Sequence, residues 1–183
     1  MLLAIDIGNT NIVLGCIENG DIKSIARIST DSNKTPHEYA VIIKAVLEFD
    51  NIDLKRLDGA IISSVVPKVT QIARNAVFIL TGKKPLVVGS GVKTGLDIRI
   101  DNPAEAGSDL IVGAVAALSV TKPPIIIIDM GTATTISVVD AHGCFIGGII
   151  YPGVKVAFSA LSGGTSQLPD VAIEAPKKCI GSN

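Results

Sequence analysis

Two aspartates close apolar runs and lead into glycine-containing polar stretches. Leu2–Asn11 reads LLAIDIGNTN and Ile125–Thr134 reads IIIIDMGTAT, with Asp6 and Asp129 ahead of Gly8 and Gly131. A buried strand ending this way presents its carboxylate at the carboxyl end of a sheet. The glycine then lets backbone N–H groups come close to an oxyanion that a side chain would block. Asn9, Thr10, Thr132, Thr134 and Thr135 add side-chain donors at the same mouth. Two such loops facing each other would hold a polyphosphate from both ends, with the aspartates turned to a cation. One copy alone reads as an ordinary glycine turn in which Asp supplies the turn chemistry. The register-matched pair reads as phosphate binding.

Larger elements must carry these loops. Asp129 follows Asp6 by 123 residues, and Gly143 follows Gly20 by the same 123. A strand, a glycine turn, a second strand, another glycine turn and a third strand are therefore predicted twice in one register, by internal duplication. In the first copy the strands are Met1–Ile7, Asn11–Glu18 and Asp21–Ile28, the last two joined by Asn19-Gly20, a strong hairpin signal. Pro36 starts an amphipathic helix with Tyr39, Ile42, Ile43, Val46 and Leu47 on one face. A strand over Leu57–Val66, a helix from Pro67 to about Leu80 and a short strand over Pro85–Val88 complete a compact α/β lobe. Lys122-Pro123-Pro124 is the expected boundary, giving lobes over 1–121 and 122–183. The second copy runs to Tyr151, with a helix to about Leu161, a turn over Ser162–Thr165 and an extended polar tail from Gln167. The second lobe is expected to be incomplete, because it is much shorter than the first.

A third carboxylate stands apart from the repeat. Asn102-Pro103 is predicted to open a long helix from Ala104 to about Val120, with Glu105 and Asp109 in its first turns. Acids suit a helix N-terminus, which accounts for Glu105. Around Asp109, Ala106-Gly107-Ser108 leave the surface open to a ligand.

Composition sets the remaining bounds. The chain has 183 residues, 48% of them hydrophobic, with no Trp and a formal net charge of −1. That suits an aliphatic, largely buried sheet covered by helices and shows no basic stripe for nucleic acid. Cys16, Cys144 and Cys179 are widely spaced, which predicts reduced thiols in a cytoplasmic protein, not a disulfide framework. The N-terminus is expected to enter a strand directly and not to be a signal peptide, and Pro124–Met130 is too short to span a bilayer. Gly89–Gly95 (GSGVKTG) lacks the Gly-Lys-Ser/Thr order of a P-loop ahead of a helix and reads as a flexible loop. His37 and His142 have no metal-spaced partners and read as surface residues.

Two lobes that each open on a strand, an Asp-x-Gly loop and a hairpin resemble the actin, hexokinase and Hsp70 superfamily. Within it, DIGNTN at Asp6–Asn11, GSD at Gly107–Asp109, DMGTATT at Asp129–Thr135 and GGIIYPG at Gly147–Gly153 resemble type III pantothenate kinase. The resemblance implies duplicated actin-like (ribonuclease H-like) βββαβα lobes around a central cleft. It implies transfer of the ATP γ-phosphoryl to the primary hydroxyl of pantothenate, the first step of coenzyme A synthesis, by a homodimer. ATP would be held by Asp6, Ile7, Gly8, Asn9, Thr10, Asn11, Ile12 and Val13 on one side. Gly131, Thr132, Thr134 and Thr135 would hold it on the other.

The resemblance further implies Mg²⁺ near Asp6, K⁺ or NH₄⁺ at Asp129, and Asp109 as the base for the acceptor hydroxyl. Ile100, Gly107, Ser108, Asp109 and Leu110 would meet the acceptor. Leu110 stands where the family has a substrate-contacting arginine, and Ile100 where it often has tyrosine. Two alternatives therefore stay open: an impaired homologue serving as a nucleotide-binding regulatory or accessory protein, or a kinase for another small alcohol.

Overall fold

A computed structural model describes residues 1–89, 91–166, 173–175, 178 and 180. β1 (Leu2–Ile7), β2 (Asn11–Glu18) and β3 (Asp21–Ser29) form an antiparallel meander. α1 (Pro36–Phe49), β4 (Gly59–Ser64), α2 (Pro67–Thr81) and β5 (Leu86–Val87) follow. These five strands make one sheet in the order β3-β2-β1-β4-β5, with β4 parallel to β1. Alternation along β1 buries Leu3, Ile5 and Ile7 against α1 and α2. Asp6 consequently falls on the opposite face. α1 begins with a capping box in which the Thr35 hydroxyl accepts from Glu38 N–H and the Glu38 carboxylate accepts from Thr35 N–H.

The second sheet contains β6 (Asp97–Ile98), β7 (Ile125–Met130), β8 (Ala133–Val139) and β9 (Cys144–Pro152), ordered β6-β9-β8-β7. β6 precedes the expected boundary yet pairs in parallel with β9. α3 (Ser108–Val120) joins the two sheets, and α4 (Val154–Gly164) follows β9. Ala114 of α3 is fully buried with Val139 and Phe145, and Leu118, Ile125 and Ile127 pack around them. The meander of the first sheet thus recurs in the second, and the second set of elements is the shorter.

The duplication is not residue for residue inside the hairpin. Gly8, Asn9 and Thr10 separate β1 from β2, whereas only Gly131 and Thr132 separate β7 from β8. The offset of 123 is recovered at the far end, where Asn19-Gly20 in the first copy is matched by Asp140–Gly143 in the second. Asp140 is what permits the longer turn: its carboxylate accepts from the N–H groups of His142 and Cys144. The expectation of one register throughout is corrected accordingly.

Two helix bounds also differ from expectation. Pro103–Glu105 is a separate short 3-10 turn, and α3 begins only at Ser108. Gly107 is extended (φ −58°, ψ 142°) and breaks the run, so Glu105 lies outside α3 and Asp109 lies in its first turn. The expected turn over Ser162–Thr165 is helical as far as Gly164. Cys16 and Cys144 are free, buried thiols; Cys179 and most of the expected tail lie outside the described residues. His37 and His142 are exposed. Among the described residues no helix is long and apolar enough to cross a membrane.

Candidate active site

The register of the first sheet builds the site. Asp6 at the end of β1 lies beside Ser63 of β4, and Ile7 beside Ser64. The Ser108 hydroxyl donates to the Ser64 carbonyl and accepts from Ser64 N–H, both at 3.0 Å. The Ser63 hydroxyl donates to Ser108 Oγ at 3.3 Å. These bonds pin the first turn of α3 to the end of β4, one strand from Asp6. Asp109, the next residue, is thereby delivered to the same place. α3 then runs against the second sheet, whose β7 carries Asp129 as its last residue but one. The three carboxylates line a single cavity of about 310 Å³ with both glycine loops.

The loops face one another across this cavity. The hydroxyls of Thr10 and Thr132 are 2.8 Å apart and hydrogen-bonded. Each glycine N–H is used within its own turn: Gly8 donates to the Asn11 carbonyl (2.9 Å) and Gly131 to the Ala133 carbonyl (3.0 Å). Donors for an anion must therefore come from the residues after each glycine and from the threonine hydroxyls. Behind the first loop, Thr30, the residue after β3, donates its hydroxyl to the Gly8 carbonyl (2.7 Å) and its N–H to the Thr10 carbonyl (3.0 Å). Behind the second, Gly153 N–H donates to the Thr132 carbonyl at 3.0 Å.

Electrostatics at this mouth favour a cation. The Asp6 carboxyl is pushed above its ordinary value, chiefly because the cleft walls desolvate it. The charges of Asp109 and Asp129 add to that push, and the neighbouring Ser63 hydroxyl opposes it. Arg27 of β3 also lines the cavity. It pairs with Val13, which pairs with Asp6, so all three lie in one row across the sheet.

Of the expected nucleotide residues, Asp6, Ile7, Gly8, Asn9, Thr10, Asn11, Val13, Gly131, Thr132 and Thr135 line this cavity. Ile12 does not; strand alternation turns its side chain into the core, where it is 2% exposed. Thr134 is likewise not among the lining residues. Ile100 and Leu110 line a second cavity of about 410 Å³, with Phe145, Asp101 and Glu105 also on its walls. Thr135 lines both cavities, and Asp109 immediately precedes Leu110. Gly107 lines neither. Ser108 is buried and bonded to Ser63 and Ser64, which gives it the task of holding Asp109. Sequence reasoning missed Ser63, Ser64, Thr30 and Arg27, because their value depends on strand register. Gly153 was visible only as the end of GGIIYPG.

Two duplicated α/β units with paired glycine loops over three carboxylates define the actin-like fold class. A solved structure described as a putative 2-dehydro-3-deoxygalactonokinase from Sinorhizobium meliloti shares the fold, with a TM-score of 0.51 at 14% identity, over 90% of this chain and 57% of that one. Within the class the assignment is specific. The family profile described as type III pantothenate kinase matches residues 2–183, and the chain belongs to that family. Proteins named type III pantothenate kinase are 42% identical in Moorella thermoacetica and 43% identical in Exiguobacterium sibiricum. Each match covers 100% of this chain and 72% of the relative.

Proposed function

We propose that this protein transfers the ATP γ-phosphoryl to the primary hydroxyl of pantothenate, opening coenzyme A synthesis in the cytoplasm. Residues 1–121 and 122–183 would be its two lobes, with β6 crossing from the first segment to the second sheet. One observation carries the reading: both glycine loops and Asp6, Asp109 and Asp129 share a single cavity. Phosphoryl transfer asks mainly for positioning and charge neutralisation, and this cavity offers both. Asn9, Thr10 and Thr132 hold the polyphosphate between the loops, and Arg27 adds the positive charge that three carboxylates require. Asp109 accepts the proton of the acceptor hydroxyl. The hydroxyl oxygen then bonds to the γ-phosphorus as the bond to the β,γ-bridging oxygen breaks, releasing ADP.

The donor set fits a divalent cation. Among the described residues no three His, Cys, Asp or Glu side chains are grouped closely enough to hold a metal alone. One or two carboxylates beside a polyphosphate is the usual setting for Mg²⁺, whose remaining ligands are phosphate oxygens and water. Asp6 would hold it, and when bound it neutralises charge on the transferred group. Asp129, exposed at the end of β7, would hold a monovalent cation, K⁺ or NH₄⁺. The protein would act as a homodimer; Ile146, Ile149, Ile150 and Tyr151 of β9 stand exposed on the single chain, and light scattering tests for the dimer.

Turnover with ATP, Mg²⁺, K⁺ and pantothenate is the direct test. We expect phosphopantothenate to form, and Asp109→Asn to abolish turnover while ADP still binds. Nucleotide binding without turnover on pantothenate or on neutral primary alcohols would refute the kinase reading.

A further inference from the structure

The geometry points to Gly153 as the positioning residue of the second phosphate loop, an inference that rests on the proposed nucleotide cleft. Gly153 ends the GGIIYPG stretch and is the N-cap of α4. A Cβ built on it would lie under 3.0 Å from the carbonyl oxygens of Gly131 and Thr132, and 2.8 Å from the Thr132 carbonyl carbon. All three are backbone atoms of the loop, so no side chain can swing aside. Its N–H also holds the Thr132 carbonyl. The residue is buried, and its φ of −63° is open to any amino acid. Contact with the loop, not backbone conformation, is therefore what demands glycine here.

Gly131, the glycine inside the loop, behaves differently. A Cβ there would meet only the Ala133 carbonyl oxygen, at an ordinary 3.5 Å. Its lack of a side chain serves the ligand's approach, whereas Gly153 serves the protein's own packing beneath the loop. Thr30 supports the first loop by the same means, through bonds to the Gly8 and Thr10 carbonyls. The second loop, shorter by a residue, rests on a glycine pressed directly against its backbone. Relieving the overlap in Gly153→Ala needs a shift of about 1 Å. If the loop moves, Thr132 leaves the phosphate site, and losing a hydrogen bond to a charged phosphate costs about tenfold or more in affinity.

The test compares Gly153→Ala with Gly164→Ala, a helix position in α4 where a Cβ meets nothing within 4 Å. Titration with Mg·ADP should show Gly153→Ala weakened at least tenfold and Gly164→Ala unchanged. Pantothenate affinity should hold in both, a split that general destabilisation would not give. Normal Mg·ADP affinity in Gly153→Ala, meaning that α4 has yielded instead, would overturn the assignment. Equal loss of both affinities would do the same. Should Gly153→Ala not fold, hydrogen exchange on the unaltered protein decides: Mg·ADP should slow exchange at the Gly153 amide, and an unchanged rate refutes the role. Failure of the unaltered protein to bind Mg·ADP would instead defeat the nucleotide cleft itself.

Discussion

Replacing Ser108 by alanine removes one hydroxyl and three bonds. Two go to Ser64 N–H and C=O at 3.0 Å, and the third comes from the Ser63 hydroxyl at 3.3 Å. Ser108 is 8% exposed and Ser63 7%, so little water can replace them. A buried hydrogen-bonding group left without its partner costs about 1–3 kcal/mol. We expect Ser108→Ala to lower stability by about 2 kcal/mol, a fall in Tm of about 4–8 °C for a chain of this size. The same bonds fix the start of α3, while Ile111 and Ala114 anchor it further along. Asp109 should therefore lose its place without unfolding of the helix.

Turnover should drop tenfold to a hundredfold, with Mg·ADP affinity unchanged, since the Ser108 hydroxyl bonds to Ser63 and Ser64 and not to the glycine loops. Denaturant unfolding, steady-state kinetics and ADP titration on one preparation read all three quantities. Unchanged stability would show that the hydroxyl is not a clamp. Lost stability with undiminished turnover would show that Asp109 does not depend on it.

Three further outcomes follow from the same site. In Gly107→Ala the new Cβ would press on the Asp109 carboxylate oxygen; because that oxygen can swing away, turnover should fall while Tm stays within about 2 °C. Arg27→Ala should weaken Mg·ADP binding about tenfold without altering the melting curve, because Arg27 is exposed. The third outcome depends on pH. The Asp6 carboxyl is raised above 3.8 by desolvation and by Asp109 and Asp129, so folding favours its protonated form. Its contribution to stability is complete below 3.8 and lost as pH rises through the raised value. Asp6→Asn should therefore melt higher than the unaltered protein at neutral pH without ligand, and the gain should vanish in acid. Melting curves across that range check the sign.

The first meander was legible because its signals are local. Alternating apolar residues, Asn19-Gly20 and Pro36 fix its strands and the start of α1 within a residue or two. Asp6, Gly8, Asp129 and Gly131 could be paired because the duplication preserves their types. What stayed hidden depends on packing between distant segments. Nothing local says that Ser64 will grip Ser108, or that Thr30 will brace the Gly8 loop. Nor does local sequence show that β6, only Asp97–Ile98, will cross to the second sheet. The helix break at Gly107 did leave a local signal, since Gly107-Ser108-Asp109 is a poor helical stretch by propensity, but nothing local shows what holds the start of α3 there. The N-terminus of α3 is set instead by the Ser108 bonds to β4.

Loops from the two repeats that hold the same phosphate chain must respond together to one ligand. Backbone amide resonances can be followed while a non-hydrolysable Mg·ATP analogue is titrated in. Gly8, Asn9 and Thr10 should shift along the same saturation curve as Gly131 and Thr132, with one Kd. Movement of one loop alone, or two curves with different midpoints, would contradict it.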